Sequence, residues 1–211
     1  MQYIYLHGFA SSPKSTKAQY IKERFAEVQI KLKIPDLNAG DFLNLTITRQ
    51  LTQVATQMSC DSRPVTLIGS SLGGLISAHV GQQLQQVQRL ILLAPAFGFL
   101  SHWLSQIGDQ QLQRWQKEQS LAVYHYGEEA YLPLSYRFVT DAARYQENLL
   151  QRPIPTLIIH GRNDEVIPIQ ASRDFAKSRP WVELIELDSD HTLTDALFTI
   201  WQKIRLFCEI P

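Results

Sequence analysis

The chain of 211 residues is 45% apolar and 19% charged, which is ordinary for a soluble globular protein and unlike a disordered or collagenous one. Twenty basic residues offset twenty acidic ones, so there is no basic excess to attract a nucleic acid or an anionic membrane surface, and neither partner is expected. A chain of this length buries roughly 70% of its unfolded surface, enough for one core, and a single domain over residues 1–211 is expected.

The first strand is read at YIYLHG (3–8). MQYIYLHGFA carries no basic leader and runs straight into that strand, so a cytoplasmic protein is expected. A helical pattern follows over 13–27, then a strand at IKLKIPD (30–36) and a second helix over 42–58. The strand VTLIGS (65–70) leads into a helix over 72–85, and RLILLAP (89–95) is the next strand. After a long interval come the strand TLIIHG (156–161), a helix over 169–178, the strand VELIELD (182–188) and a helix over 192–207. Four of the six strands are continuous apolar runs without alternation, the pattern of strands covered on both faces. Strands alternating with helices imply a three-layer α/β fold: a mostly parallel sheet of about six strands with helices on both faces.

The glutamine-rich QQLQQVQ (82–88) is read as a solvated helix face. LILLAPAFGFL (90–100) falls short of the roughly 20 residues a bilayer requires, so stable membrane insertion is not expected. Cys60 and Cys208 form neither a disulfide framework nor a zinc set, and both are expected reduced and buried.

Residues 97–150 hold too much chain for one crossover and are read as a small cap inserted between strands. Leu104, Ile107, Leu112 and Trp115 recur at helical spacing. LAVYHYGEEAYLPLSYRFV then reads as a hairpin turning at Gly127 to Glu129, with Ala122, Tyr124 and Tyr126 alternating on its first arm.

The chemistry concentrates in LIGSSLGGL (67–75). Gly-x-Ser-x-Gly spacing fits Gly69, Ser71 and Gly73; Ser70 fails it, because two residues on stands Leu72. This spacing suits a sharp strand-to-helix turn that exposes a serine hydroxyl at its tip, with the amides of the following helix aimed at developing negative charge. A serine hydroxyl needs a base, and the base needs an orienting acid. His191, in LDSDHTLTD, follows the last strand, and Asp164, in HGRNDEVIP, follows the strand ending near His160. In a parallel sheet both positions share the edge on which Ser71 stands. Glu165, Asp188 and Asp190 are rival acids; Asp164 is preferred because its loop follows a separate strand.

His79 falls inside a helix and His160 reads as a structural turn residue. His7, His160 and His191 share an edge without metal-ligand spacing, so no metal is expected. The backbone amides of Phe9, after the first strand, and Leu72, after the serine, are the candidate oxyanion donors. No lysine follows Gly74 as a phosphate-binding loop requires, and a dehalogenase would need aspartate at position 71.

With YIYLHGF, GSSLGG, IIHGRNDEVIP and DSDHTL in this order, the sequence resembles the α/β-hydrolase family over nearly its whole length. More narrowly, YLHGFASSPKSTKA with IGSSLGG resembles the small bacterial esterase family called YqiA or UPF0227. The resemblance implies hydrolysis of a small carboxylic ester or thioester without a cofactor. It assigns Ser71 as nucleophile, His191 as base, Asp164 as acid, and Phe9 and Leu72 as oxyanion donors. Ser189 replaces a glycine that many relatives carry before the aspartate–histidine pair. Phe97, Phe99, Trp103, Tyr124 and Tyr126, with Trp115 and Tyr131 nearby, are the expected walls of an acyl pocket. A transferase or peptidase with the same triad, or a non-catalytic binding protein, are the rival readings.

Overall fold

The computed structural model describes residues 1–58 and 62–211, so the expectation for Cys60 lies outside the described residues. In chain order the elements are β1 (Gln2–Leu6), α1 (Thr16–Glu27), β2 (Leu32–Lys33), α2 (Ile47–Gln57), β3 (Val65–Ser70), α3 (Leu72–Gln83) and β4 (Val87–Leu93). There follow α4 (Phe99–Ile107), α5 (Asp109–Glu118), β5 (Ser120–His125), β6 (Ala130–Ser135) and α6 (Arg137–Ala142). The chain then returns through β7 (Thr156–Gly161), α7 (Ile169–Lys177), β8 (Val182–Leu187) and α8 (Leu197–Cys208).

Six strands form one sheet in the order β2–β1–β3–β4–β7–β8, and every neighbouring pair is parallel. The register aligns Tyr5, Ile68, Ile91 and Leu157 in one row across four strands. That row belongs to a core shared with Ile21 and Phe25 of α1 and Ile200 and Trp201 of α8. One residue back, Ile4, Leu67 and Leu90 face the opposite side, where Leu51 and Val54 of α2 and Ile76 and Val80 of α3 cover them. The period of two along each strand thus sends alternate apolar residues into two cores, which is why central strands read as unbroken apolar runs. Each such side chain contributes about 1.5–3 kcal/mol by leaving water.

The second strand is shorter than 30–36, because Pro35 has no N–H to extend the ladder at this edge. The helix expected from 42 begins at Ile47, where the Thr46 side chain accepts from the Arg49 amide at 3.1 Å. Of the glutamine tract, Gln82 and Gln83 end α3, 84–86 turn, and Val87 and Gln88 open β4, so only its first two residues lie on a helix. Cys208 is buried and unpaired, and burial pushes its thiol up to about 11. No helix among the described residues is long and apolar enough to cross a membrane.

The interval between β4 and β7 carries helices and a hairpin. Its helical run is divided at Gly108, whose φ of 79° halts α4 and starts α5. Trp115 is buried and donates its indole N–H to the Leu134 carbonyl at 2.9 Å, tying α5 to the antiparallel pair β5–β6. The hairpin alternates as expected but presents the other face inward. Leu121 and Val123 pack on the core and His125 is buried, whereas Tyr124, Tyr126 and Tyr131 cluster on the outside. Tyr126 and Tyr131 are 74% and 72% exposed, so the tyrosines do not wall an internal pocket. The fixed point is His125: Asn38 joins it at 3.0 Å and also donates to the Ser11 carbonyl at 2.7 Å. With the Tyr126 amide on the Ala10 carbonyl at 2.7 Å, the hairpin tip is held on the loop after β1.

Candidate active site

Ser71 occupies the turn between β3 and α3 with φ 53° and ψ −119°. A non-glycine residue held there costs on the order of 1–3 kcal/mol, so its surroundings must enforce it. Its amide donates to the Leu93 carbonyl at 2.9 Å, and its own carbonyl accepts from the Gly74 and Ala96 amides. The turn is possible only with glycines at its flanks. A Cβ on Gly73 would fall on the carbonyl oxygens of Leu6 and His7, and one on Gly69 would fall on the Gly73 carbonyl. The neighbouring Ser70 is buried in the strand.

The histidine loop after β8 brings His191 Nε2 to 3.2 Å from Ser71 Oγ. His191 Nδ1 lies 2.7 Å from Asp164 Oδ2, and this carboxylate, which follows β7, is fully enclosed. Asp164 Oδ1 accepts the amides of Val166 at 2.9 Å and Ile167 at 2.7 Å. Burial alone would raise its pKa, but hydrogen bonds from His160, His191 and the Ile167 amide outweigh it and hold the carboxyl well below the usual range. Asp164 therefore stays ionised at neutral pH. With the carboxylate accepting from Nδ1–H, Nε2 of His191 is left to accept the Ser71 proton.

Of the rival acids, Glu165 is exposed, and Asp188 and Asp190 are engaged elsewhere. Asp190 accepts from the Thr192 and Leu193 amides, Asp188 accepts from Asn163, and Ser189 donates to Asp195, which together shape the histidine loop. The serine in place of glycine is thus accommodated as a buried loop tie.

Gly8 lies directly beside the serine, since a Cβ on it would be 3.3 Å from Ser71 Cβ. The amides of the next residue, Phe9, and of Leu72 donate to no protein acceptor among the described residues. The Phe9 ring stands at the centre of Phe42, Phe99, Trp103 and Phe138, with centroids 5.2–5.8 Å away. Phe99 and Trp103 therefore pack on the ring of the residue that follows Gly8. Phe97 does not. It is buried and stacked at 4.0 Å on Phe175 of α7. A separate groove of about 730 Å³ between α5 and β5, lined by Arg114, Trp115 and Leu121, includes none of these residues.

Two neighbours of the site escape a reading of the sequence. His160, read as a turn residue, is fully buried with Nε2 3.0 Å from Asp164 Oδ2. Lys17 places Nζ 3.4 Å from the His191 carbonyl, and burial pushes its ammonium down to about 8 against the pull of Asp164 and Asp190. Lys17 does lie in the quoted stretch YLHGFASSPKSTKA, but nothing in its spacing marks it. Among the described residues no group of three His, Cys, Asp or Glu is arranged to hold a metal ion.

A parallel six-stranded sheet with its serine turn after β3 and further polar loops after β7 and β8 is the fold of the α/β hydrolases, and solved structures agree. A protein from Agrobacterium vitis S4 matches with TM-score 0.87 at 22% identity, over 100% of this chain and 88% of that one. Est1E from Butyrivibrio proteoclasticus matches with TM-score 0.76 at 19% identity, over 99% of this chain and 88% of that one. Residues 2–208 match the family described as uncharacterised protein family UPF0227, and the chain belongs to that family. The mitochondrial palmitoyl-protein thioesterase ABHD10 of Mus musculus is 30% identical over 185 residues, covering 82% of this chain; the match spans 62% of that relative's length.

Proposed function

We propose that this protein is a serine hydrolase that cleaves small carboxylic esters or thioesters through an acyl-enzyme. The observation that carries this reading is the continuous chain Ser71 Oγ–His191 Nε2 at 3.2 Å and His191 Nδ1–Asp164 Oδ2 at 2.7 Å, beginning at a strained serine. His191 takes the Ser71 proton as Oγ attacks the carbonyl carbon, and Asp164 stabilises the imidazolium. The unspent amides of Phe9 and Leu72 receive the oxyanion; loss of one such donor costs on the order of 10²–10³ in rate. His191 then protonates the departing alcohol or thiol, and water repeats the sequence on the acyl-enzyme. Residues 97–150 serve as the cap, with Phe99 and Trp103 beside the acyl group. The likeness to a mouse palmitoyl-protein thioesterase supports an ester or thioester as the substrate class.

The test is labelling with a fluorophosphonate, mapped by mass spectrometry, beside Ser71→Ala and His191→Ala. The expected result is one adduct on Ser71, absent in both variants. A folded wild-type protein that is not labelled, or is labelled on Ser70, would overturn the reading. Esters and thioesters of graded acyl length then resolve the substrate.

A further inference from the structure

The same oxygen of Asp164 that meets His191 also meets a second histidine, from inside the protein. His160 Nε2 lies 3.0 Å from Asp164 Oδ2 and 3.0 Å from the Ile167 carbonyl oxygen. Both are acceptors, so Nε2 must carry a hydrogen. On the far side of the ring, Nδ1 lies 2.7 Å from Ser172 Oγ of α7, whose hydroxyl can donate to it. His160 and Ser172 are both fully buried, away from bulk solvent. A plain residue at the end of β7 would need none of this.

We propose that His160, with Nε2–H fixed by its two acceptors and its ring held by Ser172, is a positioning residue for the Ser71 reaction: it holds the acid of the triad and moderates how strongly that acid supports His191. This rests on the hydrolase reading above. A carboxylate oxygen shared between two N–H donors gives less to each than an oxygen with one. His160 therefore anchors Asp164 Oδ2 in line with His191 Nδ1, while withdrawing part of its negative charge. The amides of Val166 and Ile167 do the same for Oδ1, so all the carboxylate's partners are oriented before a substrate binds. Among the described residues, the ionisable groups facing this carboxylate are His160 from β7, His191 from the loop after β8 and Lys17 from α1; the Ser172 hydroxyl of α7 meets the far side of the His160 ring.

The experiment measures the second-order rate of fluorophosphonate labelling of Ser71 against pH for wild type, His160→Phe, His160→Gln and Ser172→Ala. Phenylalanine fills the ring's space and removes the donor. Glutamine returns an amide N–H near the Nε2 position. Ser172→Ala leaves the Nε2 acceptors in place but removes the hydroxyl that holds Nδ1 and orients the ring. For His160→Phe the rate at neutral pH falls roughly tenfold or more, as for loss of a hydrogen bond to a charged group. The acid limb of its profile moves up by about one pH unit, because the unshared carboxylate favours the His191 imidazolium. Ser172→Ala moves the limb the same way by less, and His160→Gln restores it. Limbs that coincide with wild type in both His160→Phe and Ser172→Ala, with rates that merely follow thermal stability, would overturn the proposal. If His160→Phe fails to fold, Ser172→Ala decides it alone: a limb displaced upward supports the proposal, and one that coincides with wild type overturns it. Wild-type protein that never labels at Ser71 would instead overturn the hydrolase reading, so the two failures are distinct.

Discussion

Replacing Lys17 by methionine is expected to make the protein more stable and less active at neutral pH. Among the described residues the lysine Nζ bonds only the His191 carbonyl, at 3.4 Å, and burial lowers its pKa from 10.5 to about 8, with Asp164 and Asp190 opposing the shift. A gap of about 2.5 units corresponds to about 3 kcal/mol. For a base whose folded pKa is lowered, the sign is a cost. Below pH 8 the ammonium is charged in both folded and unfolded chains and the full cost is present. Between pH 8 and 10.5 the folded protein loses its proton first, and the cost is relieved. Methionine keeps the apolar stem and removes the charge, losing a hydrogen bond of about 1 kcal/mol. The net gain at pH 7 is therefore about 2 kcal/mol, shrinking to zero or reversing near pH 10. Urea unfolding of both proteins at pH 7, 8.5 and 10 measures the difference directly, so shared alkaline effects cancel. Ester hydrolysis should fall several-fold in the variant, because the histidine loop loses its tie to α1. A variant less stable than wild type at pH 7, or a difference that does not change with pH, would refute this account of Lys17.

Asp164→Asn should lower kcat by about four orders of magnitude, as expected when a triad acid no longer orients its histidine, with folding retained. Because the folded pKa of Asp164 lies below its unfolded value of 3.8, its contribution to stability is present above that pH and is lost as pH falls; acid titrations followed by circular dichroism should show wild type losing more stability than the variant between pH 5 and 3. Gly73→Ala should cost several kcal/mol, of the order of overpacking elsewhere (about 1–3 kcal/mol) or more, because its Cβ meets backbone oxygens of β1 that cannot swing aside; the urea midpoint reads this, and labelling of Ser71 should fall with it. Trp103→Ala should change the preference among esters of graded acyl length, while Tyr126→Ala, on the outer hairpin face, should leave kcat/KM within twofold for every ester tested.

The parallel sheet was legible in the sequence because burial on both faces leaves an unmistakable record, as in LILL of β4 and TLII of β7. The positions of Ser71, Asp164 and His191 were legible for a related reason. Each follows a strand closely, and parallel strands bring their ends to one edge whatever the rest of the chain does. The glycines around Ser71 are equally local, since the turn they permit spans five residues. Tertiary structure alone decided matters in which a side chain chooses between equivalent directions. Alternation along β5 showed that the hairpin has two faces, but the anchoring of His125 by Asn38, 87 residues away in sequence, chose Leu121 and Val123 for the inside and the tyrosines for the outside. Phe97 and Phe99 differ by two residues, yet one stacks on α7 and the other meets Phe9. Lys17 reaches His191 across 174 residues, and His160 turns toward Asp164 only because Ser172 and Ile167 hold its ring from both sides. Periodicity records which residues leave water, and spacing records where a turn must be tight. Neither records which partner lies across the gap, because that depends on how the layers pack.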